Sequence, residues 1–336
     1  MLHFTDVTEL IAYQASLGSQ PAVCEIAGGT ARTSRILLGY RKRIGRNFDL
    51  VCGIDLLNKK DRDAFMQYRA RSRVRVVVMS PACSRFGGWS HLDRQIYQDT
   101  WRARRIDDDI IAAFCGGVAI AQYADKLDWL LEQPVGSDMM SVEPWPKIMK
   151  DDRTRQVIFD QCQCGAKARE GHHIKKPTRA TASCDDLLYY LQGLQCGSTK
   201  MCTGQHLTLT GKRADDARIW PWMLARRVAW GIMRRSAGRR AESATAGGDA
   251  FATTLPCVPG ANRIAEDDAD IDDASSYVLG ANQASMTTPS GFYPARAGGA
   301  DDRTVSSCPG CARHRPQDHE QHSRVQGVCR YLTSRH

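Results

Sequence analysis

The chain has 336 residues, of which 42% are hydrophobic, so it can bury a core for one large domain or two modest ones. Its 46 Lys and Arg residues outnumber its 37 Asp and Glu residues, and the net charge of +9 favours a polyanionic partner such as nucleic acid. The N-terminus lacks a signal-peptide pattern and no apolar run approaches the roughly 20 residues that cross a bilayer, so we expect a soluble intracellular protein, nuclear or cytoplasmic, without membrane contact.

Short apolar runs alternate with longer mixed segments over the first 235 residues. We predict strands at 22–27, 48–55, 74–79 and 127–131, and helices at 33–40, 60–71 and 107–123. Strands that alternate with helices indicate an α/β fold, in which a mostly parallel sheet carries helices on both faces. We assign this domain to residues 21–235 and predict a helix over residues 1–20 before it.

The composition changes near residue 236. Residues 236–306 are rich in Ala, Gly, Ser, Asp and Pro and lack apolar periodicity, which predicts a disordered linker. A Cys/His-rich tail follows at 307–336. Its members Cys308, Cys311, His314 and Cys329 either bind zinc or are incidental residues of a polar tail, because their spacing fits no standard zinc finger.

The ends of the first two predicted strands carry the features of a ligand site, because ligands of parallel sheets gather at the carboxyl ends of the strands. The first strand leads into a Gly-Gly turn that lets a ligand approach the backbone. The second ends in an acid that can accept hydrogen bonds from ribose hydroxyls. An adenosine-containing cofactor is one interpretation and a plain scaffold is the other. The predicted contacts are Glu25, Ala27, Gly28, Gly29, Thr30, Asp55 and Leu56.

The third predicted strand ends at the segment Ser80-Pro81-Ala82-Cys83. A thiol just after a buried strand, near a helix N-terminus and Arg85, is expected to have a lowered pKa and to act as a nucleophile. The alternative is that Cys83 is a small packing residue. Glu132, at the end of the fourth predicted strand, is expected to reach the same cleft.

These four strand ends resemble, in the same order, the motifs of cytosine-C5 DNA methyltransferases. The matching stretches are EIAGGTA (25–31) for the cofactor loop, GID (53–55) for the acid after the next strand, SPACSRFG (80–87) for the nucleophile loop and EQP (132–134) for the catalytic acid. The resemblance covers roughly residues 20–135. It implies a Rossmann-like class I methyltransferase fold that binds S-adenosylmethionine, with Ser80 and Pro81 among the cofactor contacts.

The segments EQPVGS, KKPTRATAS and CTGQHLTLTG also look like methyltransferase-like segments of retroelement polyproteins. Together the resemblances imply methylation of cytosine C5 in DNA, in which Cys83 adds to C6 while Glu132 binds the ring of a base that has left the duplex. Arg179 is predicted to contact the base or its phosphate, or else to form an exposed salt bridge. Ala82 stands where the family has proline, so the alternative function is an inactive nucleic-acid-binding module of a mobile element.

Thirteen cysteines at irregular spacing indicate reduced thiols and no disulfide framework. Between residues 162 and 206 a set such as Cys162, Cys164, Cys202 and His206 has zinc-binding chemistry. However, Cys-x-Cys chelates poorly and the spacing selects no quartet, so the cysteines are equally interpreted as small core residues and we assign no metal. A zinc-dependent binding protein remains a third interpretation, and no obligate protein partner is indicated.

Overall fold

The computed structural model describes residues 20–87, 90–198, 202, 204–207, 209, 214 and 217–246. Its strands are β1 (Val23–Ile26), β2 (Ile44–Phe48), β3 (Val76–Met79), β4 (Asp128–Pro134), β5 (Arg155–Asp160) and β6 (Pro177–Ala182). Its helices are α1 (Arg32–Gly39), α2 (Lys59–Ser72), α3 (Ser90–Ile96), α4 (Gln98–Ala124), α5 (Trp145–Ile148), α6 (Asp185–Leu188) and α7 (Trp222–Ala246). Short 3₁₀ turns cover Leu50–Cys52, Asp138–Ser141, Gln161–Cys164 and Tyr189–Leu191. The predicted N-terminal helix and the Cys/His-rich tail lie outside the described residues.

The strands form one mostly parallel sheet in the order β2-β1-β3-β4-β6-β5. The strand β1 pairs in parallel with β2 and β3, and β3 pairs in parallel with β4. In contrast, β6 runs antiparallel to both of its neighbours, β4 and β5. The predicted α/β class and mostly parallel sheet are therefore confirmed.

Both faces of the sheet are covered by helices, as β3 illustrates. Val77 and Met79 pack into a core with α2, α4 and α5, whereas Val76 and Val78 pack into a second core with α1, α6 and α7. A strand that is buried on both faces needs apolar residues at every position, which explains why all four residues of β3 are apolar. No helix in the described part of the chain combines the length and the apolar character of a membrane span.

The second strand differs from the prediction. It was expected at 48–55, but β2 covers Ile44–Phe48 and a 3₁₀ turn follows. Asp49 ends the strand, because its side chain accepts a hydrogen bond from the Val51 amide at 2.9 Å and closes the turn. Since β2 is an edge strand with mostly half-buried residues, its sequence lacks the apolar run that marks the inner strands.

The last helix crosses the predicted start of the disordered linker. The linker was expected from residue 236, yet α7 continues to Ala246, so the prediction is wrong for residues 236–246. The buried Asp128 explains the extension, because its Oδ2 accepts hydrogen bonds from Arg235 Nε at 3.0 Å and from Arg239 Nη2 at 2.8 Å. Arg239, which lies within the predicted linker, thus binds α7 to the start of β4.

A glycine permits the close packing of α7 against α6. A Cβ atom at Gly231 would lie 2.6 Å from the carbonyl oxygen of Leu187, whereas one at Gly238 of the same helix would meet only the Asp186 carboxylate at 3.4 Å. We expect Gly231→Ala to lower the free energy of unfolding by about 1–3 kcal/mol, because backbone must move. The matched Gly238→Ala should raise it by up to about 1 kcal/mol through helix propensity. Urea unfolding of both variants measures the difference, and equal effects would contradict this packing.

Candidate functional site

The carboxyl ends of the four parallel strands meet at one edge of the sheet, and their loops lie side by side. The amide of Ala27, just after β1, donates to the Phe48 carbonyl at the end of β2 at 3.0 Å. On the other side, the amide of Ser80 after β3 donates to the Ile26 carbonyl at 3.1 Å. The predicted site residues of the first and third strand ends are therefore adjacent, as the parallel sheet requires.

The loop after β1 has an unusual backbone. Ala27, Gly29 and Ala31 have φ angles of 50°, 56° and 52°, which lie in the left-handed region. Only glycine adopts this region without cost, so the two alanines require support from the surrounding contacts. Gly28 is needed for space, since a Cβ there would lie 2.9 Å from a carboxylate oxygen of Glu25. Thr30 is exposed at the top of the loop.

Glu25 connects the strand before this loop to the helix after it. Its buried carboxylate accepts hydrogen bonds from the Ser34 amide at 2.7 Å and the Ser34 hydroxyl at 2.6 Å, and Ser34 lies in the first turn of α1. The pKa of Glu25 is raised from 4.5 to about 7, mainly by burial and also by the charge of Asp49, although the Ser34 hydrogen bonds lower it. The residue thus ties β1 to the helix that follows the loop.

Stability should depend on pH through Glu25. The folded chain keeps the Glu25 proton to a higher pH than the unfolded chain, so the folded state binds more protons between pH 4.5 and about 7. The free energy of unfolding should therefore fall by up to about 3 kcal/mol as the pH rises through this window. The Glu25→Gln variant should lack this part of the decrease. Urea unfolding at pH 4.5–8 tests it, and parallel pH curves for the two proteins would contradict it.

The acid at the end of β2 is Asp49. Its Oδ2 accepts a hydrogen bond from the Gly29 amide at 2.9 Å, while its Oδ1 accepts from Val51. Asn47 of β2 donates its Nδ2 proton to the Gly29 carbonyl at 2.8 Å. The amide and the carbonyl of Gly29 are thus bound by Asp49, directly after β2, and by Asn47 within it. The sequence analysis missed both contacts because it placed the strand too late.

Asp55 lies elsewhere. It occupies an exposed turn before α2, where its Oδ1 accepts from the Leu57 amide at 2.9 Å and its own amide donates to Asp61 at 2.9 Å. Leu56 is buried in the core. The prediction that Asp55 ends the second strand is therefore wrong, because β2 stops at Phe48 and Asp49 follows directly.

The loop after β3 carries Cys83 and is held by the next strand. The carbonyl of Cys83 accepts hydrogen bonds from the amides of Phe86 at 3.0 Å and Gly87 at 2.9 Å, which close a turn. Gln133 of β4 donates its Nε2 proton to the Pro81 carbonyl at 3.0 Å, and its Oε1 accepts from Ser137 at 3.0 Å. The glutamine of the EQP segment thus positions the cysteine loop.

Cys83 is half-buried, and its pKa was expected to be lowered. The structure contradicts this expectation, because burial raises the pKa of the thiol above 9.0. Lys176 and Arg218 lie close enough to lower the pKa of Cys83, and Glu132 close enough to raise it, but burial outweighs the cations. Because β3 and β4 pair in parallel, Cys83 and Glu132 lie at the same edge of the sheet, and the charge of Glu132 acts on the thiol.

Glu132 is buried at the end of β4 among three partners that the sequence analysis missed. Its Oε1 lies 3.3 Å from Gln161 Nε2 and 3.5 Å from Lys176 Nζ, and its Oε2 accepts from Trp220 Nε1 at 3.3 Å. Lys176 also donates to the Ala217 carbonyl at 3.1 Å. A buried carboxylate therefore faces a lysine that is almost as buried, which makes the site strongly polar.

Arg179, the predicted second contact, is on the other face of the sheet. It pairs with Gln133 across the β4–β6 ladder, whereas Glu132 pairs with Ala180. Directly opposed residues of an antiparallel pair share a face and neighbouring residues alternate, so Arg179 and Glu132 point to opposite faces. The cation beside Glu132 is Lys176, three positions earlier, and the role predicted for Arg179 gains no support from this arrangement.

The chain was compared with known protein families and with curated proteins. No protein-family model matches the chain, and no curated protein matches it significantly.

Proposed function

We propose that the chain is an S-adenosylmethionine-dependent methyltransferase that acts on C5 of cytosine in DNA. The observation that carries this proposal is the placement of Cys83, Glu132 and Lys176 at the same edge of the sheet, where Lys176 Nζ lies 3.5 Å from Glu132 Oε1 and both charged groups act on the Cys83 thiol. A mostly parallel sheet with one antiparallel strand next to an edge strand is also typical of class I methyltransferases, which supports the resemblance of the motifs.

The residues at the site have the chemistry that methylation of C5 needs. As a thiolate, Cys83 would form a bond to C6 and push an electron pair towards C5, which is otherwise a poor nucleophile. Glu132 would accept a hydrogen bond from the exocyclic amine with one oxygen and give a proton to N3 from the other, and Lys176 would stabilise the negative charge that develops on the ring as the thiolate adds. After methylation, a base removes the C5 proton, the C6–S bond breaks and the thiolate is restored. Gln133 would hold the cysteine loop throughout.

The loop after β1 and Asp49 fit the cofactor. S-adenosylmethionine would supply an electrophilic methyl group. Each oxygen of Asp49 accepts one hydrogen bond from a backbone amide, and each carboxylate oxygen has a second lone pair for a ribose hydroxyl. A Cβ at Gly29 would point into open space, so the lack of one lets a ligand approach the backbone there.

A DNA partner is supported by the surface that follows the cysteine loop. Arg94 of α3 and both Arg102 and Arg104 of α4 are exposed. The exposed apolar side chains Ile96 and Tyr97 lie between them in sequence, with exposed fractions of 66% and 58%. Arginines bind phosphates, and flat or apolar side chains can contact unstacked bases, so this segment suits a nucleic acid from which a base is extruded.

Cofactor binding tests the proposal without any need to know the DNA sequence. We expect titration calorimetry to detect S-adenosylhomocysteine binding to the full chain. Asp49→Asn should weaken it about ten- to a hundredfold, because a charged hydrogen-bond acceptor is lost. The matched control Asp55→Asn should bind like the wild type. A larger effect of Asp55→Asn, or no binding by the wild type, would contradict the assigned cofactor site.

A second function is favoured by one observation. The raised pKa of Cys83 leaves little thiolate at neutral pH, and a chain with an unreactive thiol could still bind nucleic acid through the arginines after the loop. This inactive module would bind DNA without forming a covalent adduct, so trapping with DNA that contains 5-fluorocytosine separates it from the enzyme.

A further inference from the structure

Four metal-binding side chains converge beyond the end of β5, next to the candidate site. They are Cys162, Cys196, Cys202 and His206, and their ligand atoms all lie within 4.8 Å of one another. The Sγ atoms of Cys196 and Cys202 are 3.6 Å apart, and His206 Nε2 lies 3.5 Å from Cys196 Sγ and 3.6 Å from Cys202 Sγ. The chain thus brings together residues that are far apart in sequence.

The three separations among Cys196, Cys202 and His206 match edges of a tetrahedral zinc site, and Cys162 Sγ lies within 4.8 Å of each of these ligand atoms. With Zn–S near 2.3 Å and Zn–N near 2.05 Å, tetrahedral geometry gives S···S distances of about 3.8 Å and S···N distances of about 3.6 Å. Three thiolates and one imidazole are ligands that zinc prefers, whereas magnesium and calcium prefer oxygen. Tetrahedral N/S sites with four protein ligands are typical of structural zinc.

We propose that Cys162, Cys196, Cys202 and His206 bind one Zn²⁺ ion in a closed structural site. Binding is a ligand exchange without electron transfer. Water molecules leave the ion, and the three thiols release their protons to solvent as the Zn–S bonds form. With four protein ligands, no coordination position stays open for a substrate, so the ion has no catalytic role.

These four zinc ligands differ from the set predicted from the sequence, which contained Cys164 in place of Cys196. Cys162 and Cys164 belong to one 3₁₀ turn, and residues two apart in such a turn point about 120° apart, since it has three residues per turn. Cys164 accordingly packs in the second core with Leu188 and Leu224, and it is fully buried there. Cys196, which lies much later in the sequence, occupies the fourth ligand position instead.

Hydrogen bonds around the cluster resemble the outer shell of a metal site. Gln163 Nε2 lies 3.2 Å from Cys202 Sγ and 3.8 Å from Cys162 Sγ, so it can donate to both thiolates. The amide of Cys196 donates to Asp160 Oδ2 at 2.8 Å, which holds this ligand segment against the end of β5. Donors that orient ligands in this way stabilise metal–thiolate sites.

The ion would connect Cys196, Cys202 and His206 to the turn that contains Cys162. Gln161, the first residue of that turn, contacts Glu132, so the metal stabilises one wall of the candidate site. The zinc proposal does not depend on methyl transfer, because it rests only on the ligand geometry and would hold equally for an inactive chain.

Metal analysis of the full chain tests the proposal. The chain is purified without chelator, and zinc is measured by plasma mass spectrometry. The Cys196→Ser variant should contain one equivalent of zinc less than the wild type, while the matched variant Cys164→Ser should keep the wild-type amount. Because the comparison is a difference between single variants, any zinc held by the C-terminal cysteines cancels.

Cobalt provides a readout that does not depend on how the variants fold. Wild-type protein stripped of metal and titrated with Co²⁺ should show the intense visible bands of tetrahedral cobalt with thiolate charge transfer, and the Cys164→Ser variant should show them too. Metal-free wild-type protein that yields weak octahedral bands would overturn the proposal. So would a disulfide between Cys196 and Cys202 in purified protein, or loss of zinc in Cys164→Ser but not in Cys196→Ser.

Discussion

Replacement of Cys83 by serine is expected to abolish methyl transfer to DNA, with a fall in rate of at least about 10³-fold. A serine hydroxyl is far less acidic than a thiol and, without an adjacent base, does not add to C6 of cytosine. The fold should be retained, because the backbone contacts of the loop use the Cys83 carbonyl and not its side chain. Transfer of labelled methyl groups from S-adenosylmethionine measures the rate.

Covalent trapping gives the same test a second readout. DNA with 5-fluorocytosine cannot lose the C5 substituent, so wild-type protein and cofactor should form an adduct that survives denaturation, and Cys83→Ser should form none. Cys184 is the control, since it is also half-buried and its pKa is also raised, to about 11, but it precedes α6 at the other end of β6. An adduct that Cys184→Ser abolishes and Cys83→Ser leaves intact would refute the assignment.

Replacement of Glu132 by glutamine is expected to lower kcat about 10²- to 10³-fold, because glutamine cannot give N3 the proton that neutralises the charge developing on the ring. Glutamine keeps the size of the side chain and an oxygen for the Gln161 or Trp220 hydrogen bond. Binding of S-adenosylhomocysteine should change little, since Asp49 and the Gly29 loop are untouched. Single-turnover kinetics with saturating cofactor isolate the chemical step.

The matched control for Glu132 is Glu143, an exposed acid paired with Lys147 at 3.7 Å. Glu143→Gln should transfer methyl groups at the wild-type rate. If Glu132→Gln does so as well, the carboxylate has only a structural role beside Lys176. Thermal unfolding of both variants checks that a lower rate reflects chemistry and not a loss of folded protein.

The inner strands were predictable because burial on both faces imposes a continuous apolar run. β3 is apolar throughout, β1 is interrupted only by Glu25, and β4 contains the apolar stretch 129–131, and the structure has strands at all three. The edge strand β2 has no such run, so its end was misplaced and Asp55 was chosen over Asp49. The extension of α7 depends on Asp128, which is distant in sequence, and no local pattern could indicate that contact.

The candidate site was predictable only as far as it lies at the ends of parallel strands. Cys83 and Glu132 follow adjacent strands, so topology alone brings them together. Lys176 and Trp220 reach Glu132 through the antiparallel strand β6 and the packing of the segment before α7. Those contacts depend on long-range packing, which explains why the neighbouring Arg179 was chosen instead.

The most direct test of the account is to identify the methylated base. Full-length protein is incubated with unmethylated DNA of random sequence and isotopically labelled S-adenosylmethionine, the DNA is digested to nucleosides, and the labelled products are identified by mass spectrometry. We predict labelled 5-methylcytosine, at levels that Cys83→Ser reduces to background. The absence of labelled nucleosides from DNA to which the protein binds, or label on adenine or on the amino group of cytosine, would contradict the account.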